Sequence, residues 1–316
     1  MKMDSIKKKV LECLSENYAV GGSLERLTGE NLNYLLTTGG GEKYVVKIVD
    51  QDMPPEVVEM EFEANEYAVS NGFLPEIPKT VQNLYGKIET GIKIRKSSEN
   101  RLRLLTFIEG NVLEYQPDIS GVLLKNLGKS IAGYDLAMQG FDHPAAHRSH
   151  RWDLVETAQH RGSIELLEDP DKRGLLEWGF DVFEQVESAL ESLPWQFIHG
   201  DMNRANIMIR GEEVSGILDF GDSCFNPTVC ELAICLAYIM MERDDPLETA
   251  ATVTKAYNEV LPLSEEELAV LLPLVCGRLA MTIAVSLSRR EIDPDNPNWF
   301  DSEESAWTLL NTLHGY

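Results

Sequence analysis

The chain has 316 residues, enough for one two-lobed domain or two modest ones with real cores. Its 52 Asp and Glu outweigh 28 Lys and Arg, for a formal net charge of −24, which argues against a nucleic-acid binder, since such proteins neutralise phosphates with cations. Apolar residues at 43% and charged residues at 25% exclude a disordered chain.

The first twenty residues read as a short helix, with Ile6, Val10, Leu11 and Leu14 at helical spacing. Leu32 to Thr38 and Tyr44 to Val49 read as strands joined by Gly39-Gly40-Gly41. Pro54-Pro55 ends the second strand, and Glu56 to Ser70 has helical composition closed by Asn71-Gly72. Two more strands are expected around Gly86–Arg95 and Leu102–Ile108, with a polar turn from Ser97 to Asn100. After Gly110 helical stretches dominate: Ser120–Gln139, Leu175–Glu191, Val229–Glu242, Pro246–Val260 and Glu265–Ser288. Ser264 and Glu267 fit a capping box, and Asp245-Pro246 supplies an N-cap followed by a first-turn proline. The expected fold is α+β: a small β-rich N-lobe over residues 1–108 and a larger helical C-lobe over 109–316.

Five cysteines (Cys13, Cys224, Cys230, Cys235, Cys276) without C-x-x-C spacing point to a reducing compartment rather than to disulfides or a zinc ribbon. The N-terminus has a basic start but no apolar stretch of signal-peptide length. Leu268–Leu287 is long enough to span a membrane, yet it carries Pro273 and Arg278 and reads as a buried core helix. These features lead to the expectation of a soluble cytoplasmic protein without membrane or nucleic-acid partners.

Chemistry concentrates between Phe197 and Leu236. His199-Gly200-Asp201 follows an apolar approach, Asn206 lies five residues after Asp201, and Asp219-Phe220-Gly221 follows. Ile207–Ile209 and Val214–Leu218 read as a hairpin around Gly211 that brings Asn206 and Asp219 to one end. An Asn and an Asp so placed offer oxygen ligands to a hard cation such as Mg²⁺, and Asp201 stands where a base can accept a hydroxyl proton. A base Asp, an Asn five residues on and an Asp in an Asp-Phe-Gly turn together fit the phosphoryl-transfer template. Lys47, inside a strand, suits nucleotide phosphates or a solvent-facing edge; Glu61 could aim it, with Glu59, Glu63 and Glu66 as competitors on the same helix. Asp222, Glu231, Trp152 and Asp153 could meet a protonated amine by ion pairing and cation–π contact. A loop-organising role for Glu231 and capping roles for Asp222 and Asp153 compete with that. His143, His147 and His150 have a spacing that zinc sites also show, but Pro144 breaks the turn.

HGDMNRANIMI with ILDFGD resembles the aminoglycoside phosphotransferase and choline kinase superfamily, which has Gly where protein kinases carry Arg between His and Asp. RLLTFIEGNVL, the segment from Gly140 to Arg148, Trp152-Asp153 and DFGDSCFNPTVCELAI resemble hydroxylysine kinases. The resemblance implies a protein-kinase-like two-lobed fold, with Asp201 as catalytic base, Asn206 and Asp219 as Mg²⁺ ligands, and Lys47 as the phosphate-binding lysine. It also implies a base-reading hinge of Thr106, Phe107, Ile108 and Glu109, with ATP or GTP as donor. Thr28–Tyr34 stands where the phosphate-covering loop belongs but departs from G-x-G-x-x-G. The expected activity is a small-molecule kinase acting on a hydroxylated amine or amino acid, hydroxylysine first; choline, ethanolamine, homoserine and aminoglycosides are the alternatives. A protein kinase would need an A-P-E element after Asp-Phe-Gly, which the chain lacks. A non-catalytic nucleotide-binding pseudokinase would be expected to lack one of Asp201, Asn206, Asp219 or Lys47, and all four are present.

Overall fold

The computed structural model describes residues 3–27, 32–50, 53–95, 98–293 and 300–316. The chain divides into two compact units: Met1–Glu66 with Ile77–Glu109, and Tyr67–Glu76 with Gly110–Tyr316. The division after Glu109 lies one residue from the expected boundary, and the second unit also takes the end of the first unit's second helix.

In the first unit, α1 (Met3–Tyr18) precedes β1 (Gly22–Arg26), β2 (Leu32–Thr38) and β3 (Lys43–Asp50). Then come α2 (Pro55–Ser70), β4 (Thr80–Val81), β5 (Thr90–Arg95) and β6 (Ser98–Thr106). The strands form one antiparallel sheet in the order β1-β2-β3-β6-β4, with β5 also on β6. Period-two alternation sorts the sheet's faces. Val46 and Ile48 of β3 and Leu102 and Leu104 of β6 join Val10, Leu14 and Tyr18 of α1 in one core. Their neighbours Lys47 and Arg103, paired across the two strands, therefore point to the other face. α2 covers that face, because Glu61 hydrogen-bonds Arg103. Ser97 of the polar turn expected at 97–100 lies outside the described residues, while Asn100 pairs with both Asp50 and Ile92, so polar residues extend β6 where neighbours satisfy its backbone.

The second unit begins with β7 (Asn111–Val112), α3 (Gly121–Ala137) and a long 3-10 run, Leu154–Leu166. α4 (Pro170–Leu190), β8 (Trp195–Ile198), β9 (Ile207–Arg210), β10 (Glu213–Ile217) and β11 (Cys224–Pro227) follow. The chain ends with α5 (Val229–Ile239), α6 (Pro246–Asn258), α7 (Glu265–Ile292) and α8 (Glu303–His314). Every expected long helix forms, and both expected caps are made: Asp245 accepts from the Glu248 N–H, and Ser264 and Glu267 close a capping box. α7 is long and apolar enough to cross a membrane, but 78% of its most apolar window is buried inside the protein. It runs against α4, α5, α8 and the 3-10 run. A Cβ at Gly277 would lie 2.6 Å from the Phe183 ring, so only glycine lets α4 and α7 approach this closely. That approach seats the next residue, Arg278, in the interior.

Candidate active site

The catalytic loop is fixed from beneath. β8 pairs with β11, leaving His199 and Gly200 at the strand end. Gly200 has φ +78°, and a Cβ there would meet the Asp222 carbonyl oxygen at 2.5 Å, so the loop accepts no side chain at this point. Glu231, fully buried at the start of α5, accepts the backbone N–H groups of His199 and Gly200. Burial pushes its carboxyl up to about 8, against these two donors. Glu231 is thus a loop anchor, which corrects its assignment to the acceptor amine. His199 is also buried: its Nδ1 accepts the Asp201 N–H at 3.2 Å, so its Nε2–H donates to the Leu218 carbonyl at 2.9 Å. The neutral imidazole ties the loop to the β10 end.

The hairpin does what its sequence promised. Ile207 pairs with Ile217, and the Leu218 N–H donates to the Asn206 carbonyl at 2.8 Å, so Asn206 and Asp219 flank the same end. Asn206 Nδ2 donates to the Asp201 backbone oxygen at 3.0 Å and to Asp201 Oδ2 at 2.8 Å. Its amide oxygen is thereby left for another partner. Asp219 is exposed and held at φ +60°, a left-handed conformation that costs a non-glycine residue roughly 1 kcal/mol or more. Asn206 and Asp219 thus present hard oxygen donors fit for a divalent cation. Arg148 clamps the Asp-Phe-Gly turn by donating to the Gly221, Ser223 and Ala145 carbonyls.

Asp201 is surrounded by donors. Oδ2 also accepts from Asn203 Nδ2 at 2.9 Å, and Oδ1 accepts from Arg278 Nη2 at 3.0 Å. Burial pushes the carboxyl up to about 7, with Arg278 pulling the other way. Nothing in the sequence nominated Arg278. It is the one charged residue in the apolar stretch Leu268–Leu287 of α7, and that anomaly was the signal available.

The acceptor-side expectations divide. Asp153 is buried, caps the 3-10 run through the Val155 N–H and accepts from Asn226, so it is structural, which corrects its assignment to substrate. Trp152 does meet cations, but the chain's own: the Arg278 and Arg289 guanidiniums lie 4.9 and 5.6 Å from its ring centroid. Asp222 remains partly exposed, 3.8 Å from His150 Nδ1. Burial pushes His150 down to about 3, so that imidazole is neutral. His143 caps a turn and His147 pairs with Asp142; among the described residues no cluster of His, Cys, Asp or Glu is arranged to hold a metal.

In the first unit Lys47 is buried on β3. Of the four glutamates proposed to aim it, Glu59, Glu63 and Glu66 are exposed and Glu61 is buried. Glu61 Oε2, however, bonds Arg103 at 2.6 Å, so its direct partner is the residue across from Lys47, a correction to the expected pairing. Its Oε1 is buried and makes no hydrogen bond. Thr106 exchanges two bonds with the Lys79 backbone, its N–H donating to the carbonyl and its hydroxyl accepting the amide. Ile108 is buried, while Lys43 lies over the Phe107 ring and pairs with Glu109 at 2.8 Å. Thr28–Asn31 of the expected phosphate-covering loop lie outside the described residues.

A hydroxylysine kinase from Mus musculus is 26% identical over 300 residues, covering 88% of this chain and 78% of its own. A homoserine kinase from Gluconobacter oxydans is 26% identical over 256 residues, covering 80% of this chain and 77% of its own. Among solved structures, a microcompartment-associated aminopropanol kinase superposes with a TM-score of 0.75 at 17% identity, covering 97% of each chain. The amicoumacin kinase hAmiN, in complex with AMP-PNP, Ca²⁺ and Ami, gives 0.73 at 16% identity over 99% of this chain and 96% of its own. The Phosphotransferase enzyme family model matches residues 23–263. With a β-rich first unit, a helical second and a kinase-like catalytic loop, this chain belongs to that family and is a small-molecule kinase.

Proposed function

We propose that the enzyme transfers the γ-phosphoryl group of ATP or GTP to the hydroxyl of a small hydroxy amino acid, with hydroxylysine as the first candidate. The observation that carries this reading is the Asp201–Asn206 bond inside a loop whose other end presents Asp219. The acceptor oxygen attacks the γ-phosphorus, the bond to the β,γ-bridging oxygen breaks, and its electron pair leaves with the nucleoside diphosphate. The hydroxyl proton passes to the Asp201 carboxylate, which the loop holds in line. Lys47 and the hinge Thr106–Glu109 serve the nucleotide. A divalent cation held by Asn206 and Asp219, Mg²⁺ in this reading, would offset phosphate charge. Catalysis is then chiefly positioning and electrostatics.

The hydroxylysine and homoserine kinases that resemble this chain support the acceptor class, since both names specify hydroxy amino acids. Five buried free thiols suit the cytoplasm. The test is nucleoside diphosphate release with ATP and with GTP, in Mg²⁺, across hydroxylysine, homoserine, choline, ethanolamine and an aminoglycoside. Turnover of hydroxylysine with a kcat/KM well above the others is the expected result. Silence across the whole panel with both nucleotides would overturn the reading.

A further inference from the structure

Arg278 is 1% exposed, yet it donates to Oδ1 of the Asp201 carboxylate. A guanidinium has five N–H donors. Nε donates to the Tyr238 hydroxyl, Nη1 to the Trp152 carbonyl and, more distantly, to Met281 Sδ, and Nη2 to Asp201 Oδ1. The second Nη2 N–H has no acceptor among the described residues. Buried charged donors are normally satisfied, because leaving one unpaired forfeits its hydration without return. A second guanidinium is close by: Arg289, three turns along the same face of α7, shares the Trp152 ring with Arg278. The unused Nη2 N–H beside the base is a charged donor fit for an anion, and Arg289 adds positive charge at the same indole.

We propose that Arg278, supported by Arg289, binds a carboxylate on the acceptor, so that the enzyme selects hydroxy amino acids over the amino alcohols that lack the carboxylate. This deepens the reading above and rests on it. Through one nitrogen, Nη2, Arg278 holds both Asp201 and the acceptor. The carboxylate is thereby placed at a fixed reach from the oxygen that accepts the hydroxyl proton. An acceptor that ends in hydrogen leaves the Nη2 N–H unpaired in the closed site, the situation in which polar sites discriminate most strongly, and a carboxamide offers it a neutral oxygen in place of a charge-assisted bond.

The test needs first only the wild-type protein. Steady-state kinetics compare hydroxylysine with its decarboxylated diamino alcohol and with its carboxamide, and homoserine with its decarboxylated amino alcohol. The expected kcat/KM advantage of each amino acid is on the order of 100-fold or more. Parity within about three-fold, against a tenfold change per ~1.4 kcal/mol, would overturn the inference while leaving the kinase reading intact. Turnover of none of these compounds would end the hydroxy-amino-acid reading and the inference together. Arg278→Lys and Arg289→Gln, each checked for folding by circular dichroism, should raise KM for the amino acids more than they lower kcat and narrow the ratio to within roughly ten-fold. Folded variants that keep the full ratio would also overturn it.

Discussion

Arg103 and Arg278 are each 1% exposed at the side chain, and each pairs with a carboxylate, yet the two pairs differ in their surroundings. Glu61, opposite Arg103, is 5% exposed and lies between α2 and the sheet; Asp201, opposite Arg278, is 20% exposed at the tip of a loop. The first pair is closed on itself. The second has one side open and carries further donors from Asn203 and Asn206. A buried ion pair does not by itself declare a function: the partner's remaining lone pairs, and what can reach them, separate the two cases.

Asp201→Asn breaks the open pair where its chemistry lies. It should lower phosphoryl transfer by at least about a thousand-fold while leaving nucleotide affinity within a few-fold, read by single-turnover kinetics beside nucleotide titration. A mutant turning over at the wild-type rate would remove Asp201 from the base role.

Glu61→Ala tests the closed pair. It strands the Arg103 charge in the interior and should cost about 3–5 kcal/mol in chemical denaturation, whereas replacing both partners with apolar residues of similar volume should recover most of the loss. If Glu61→Ala proved neutral, the pair would be weaker than its burial implies.

Glu231→Gln is a milder perturbation. An amide can accept one of the two backbone N–H groups but opposes the other with its own NH₂, at a cost of about 1–3 kcal/mol and with a looser catalytic loop. Thermal denaturation together with kcat measures both effects.

Asp135 sharpens the comparison from the other side, as a buried carboxyl paired with no cation. It is fully buried and accepts from the Tyr257 hydroxyl at 2.6 Å. Burial and the Glu231 charge raise it well above the carboxylate range. Asp135 has only the Tyr257 hydroxyl where Glu231 has two backbone N–H donors, so Asp135 keeps its proton the more firmly. Because its folded value is raised, the stability Asp135 contributes is complete below the unfolded value, 3.8, and is lost as pH rises from there toward the folded value. Asp135→Asn should keep the stability seen at about pH 4 and flatten the decline above it, by up to ~1.4 kcal/mol per pH unit. An unchanged slope in denaturation across pH would place the proton elsewhere.

The catalytic loop was legible because its residues are near neighbours in the chain: Asp201, Asn206 and Asp219 fall within one hairpin whose strands announce themselves. β1 was not, since its sequence carries a single apolar residue and is held by register with β2. β8 and β11 pair across a separation no local pattern reveals, and α8 was overlooked although it buries Ala306, Leu309, Leu310 and Leu313.

Spacing, capping and alternation, all set within a few residues of chain, sufficed for a β-rich part followed by a helical one, for the long helices and for the hairpin that brings Asn206 and Asp219 to one end. Which carboxylate meets which cation depended instead on elements distant in sequence. Asp153 and Glu231 turned inward, Glu61 went to Arg103, and Arg278 came from α7 to the base. Buried charges take the nearest partner that tertiary packing supplies, and composition alone does not specify that neighbour.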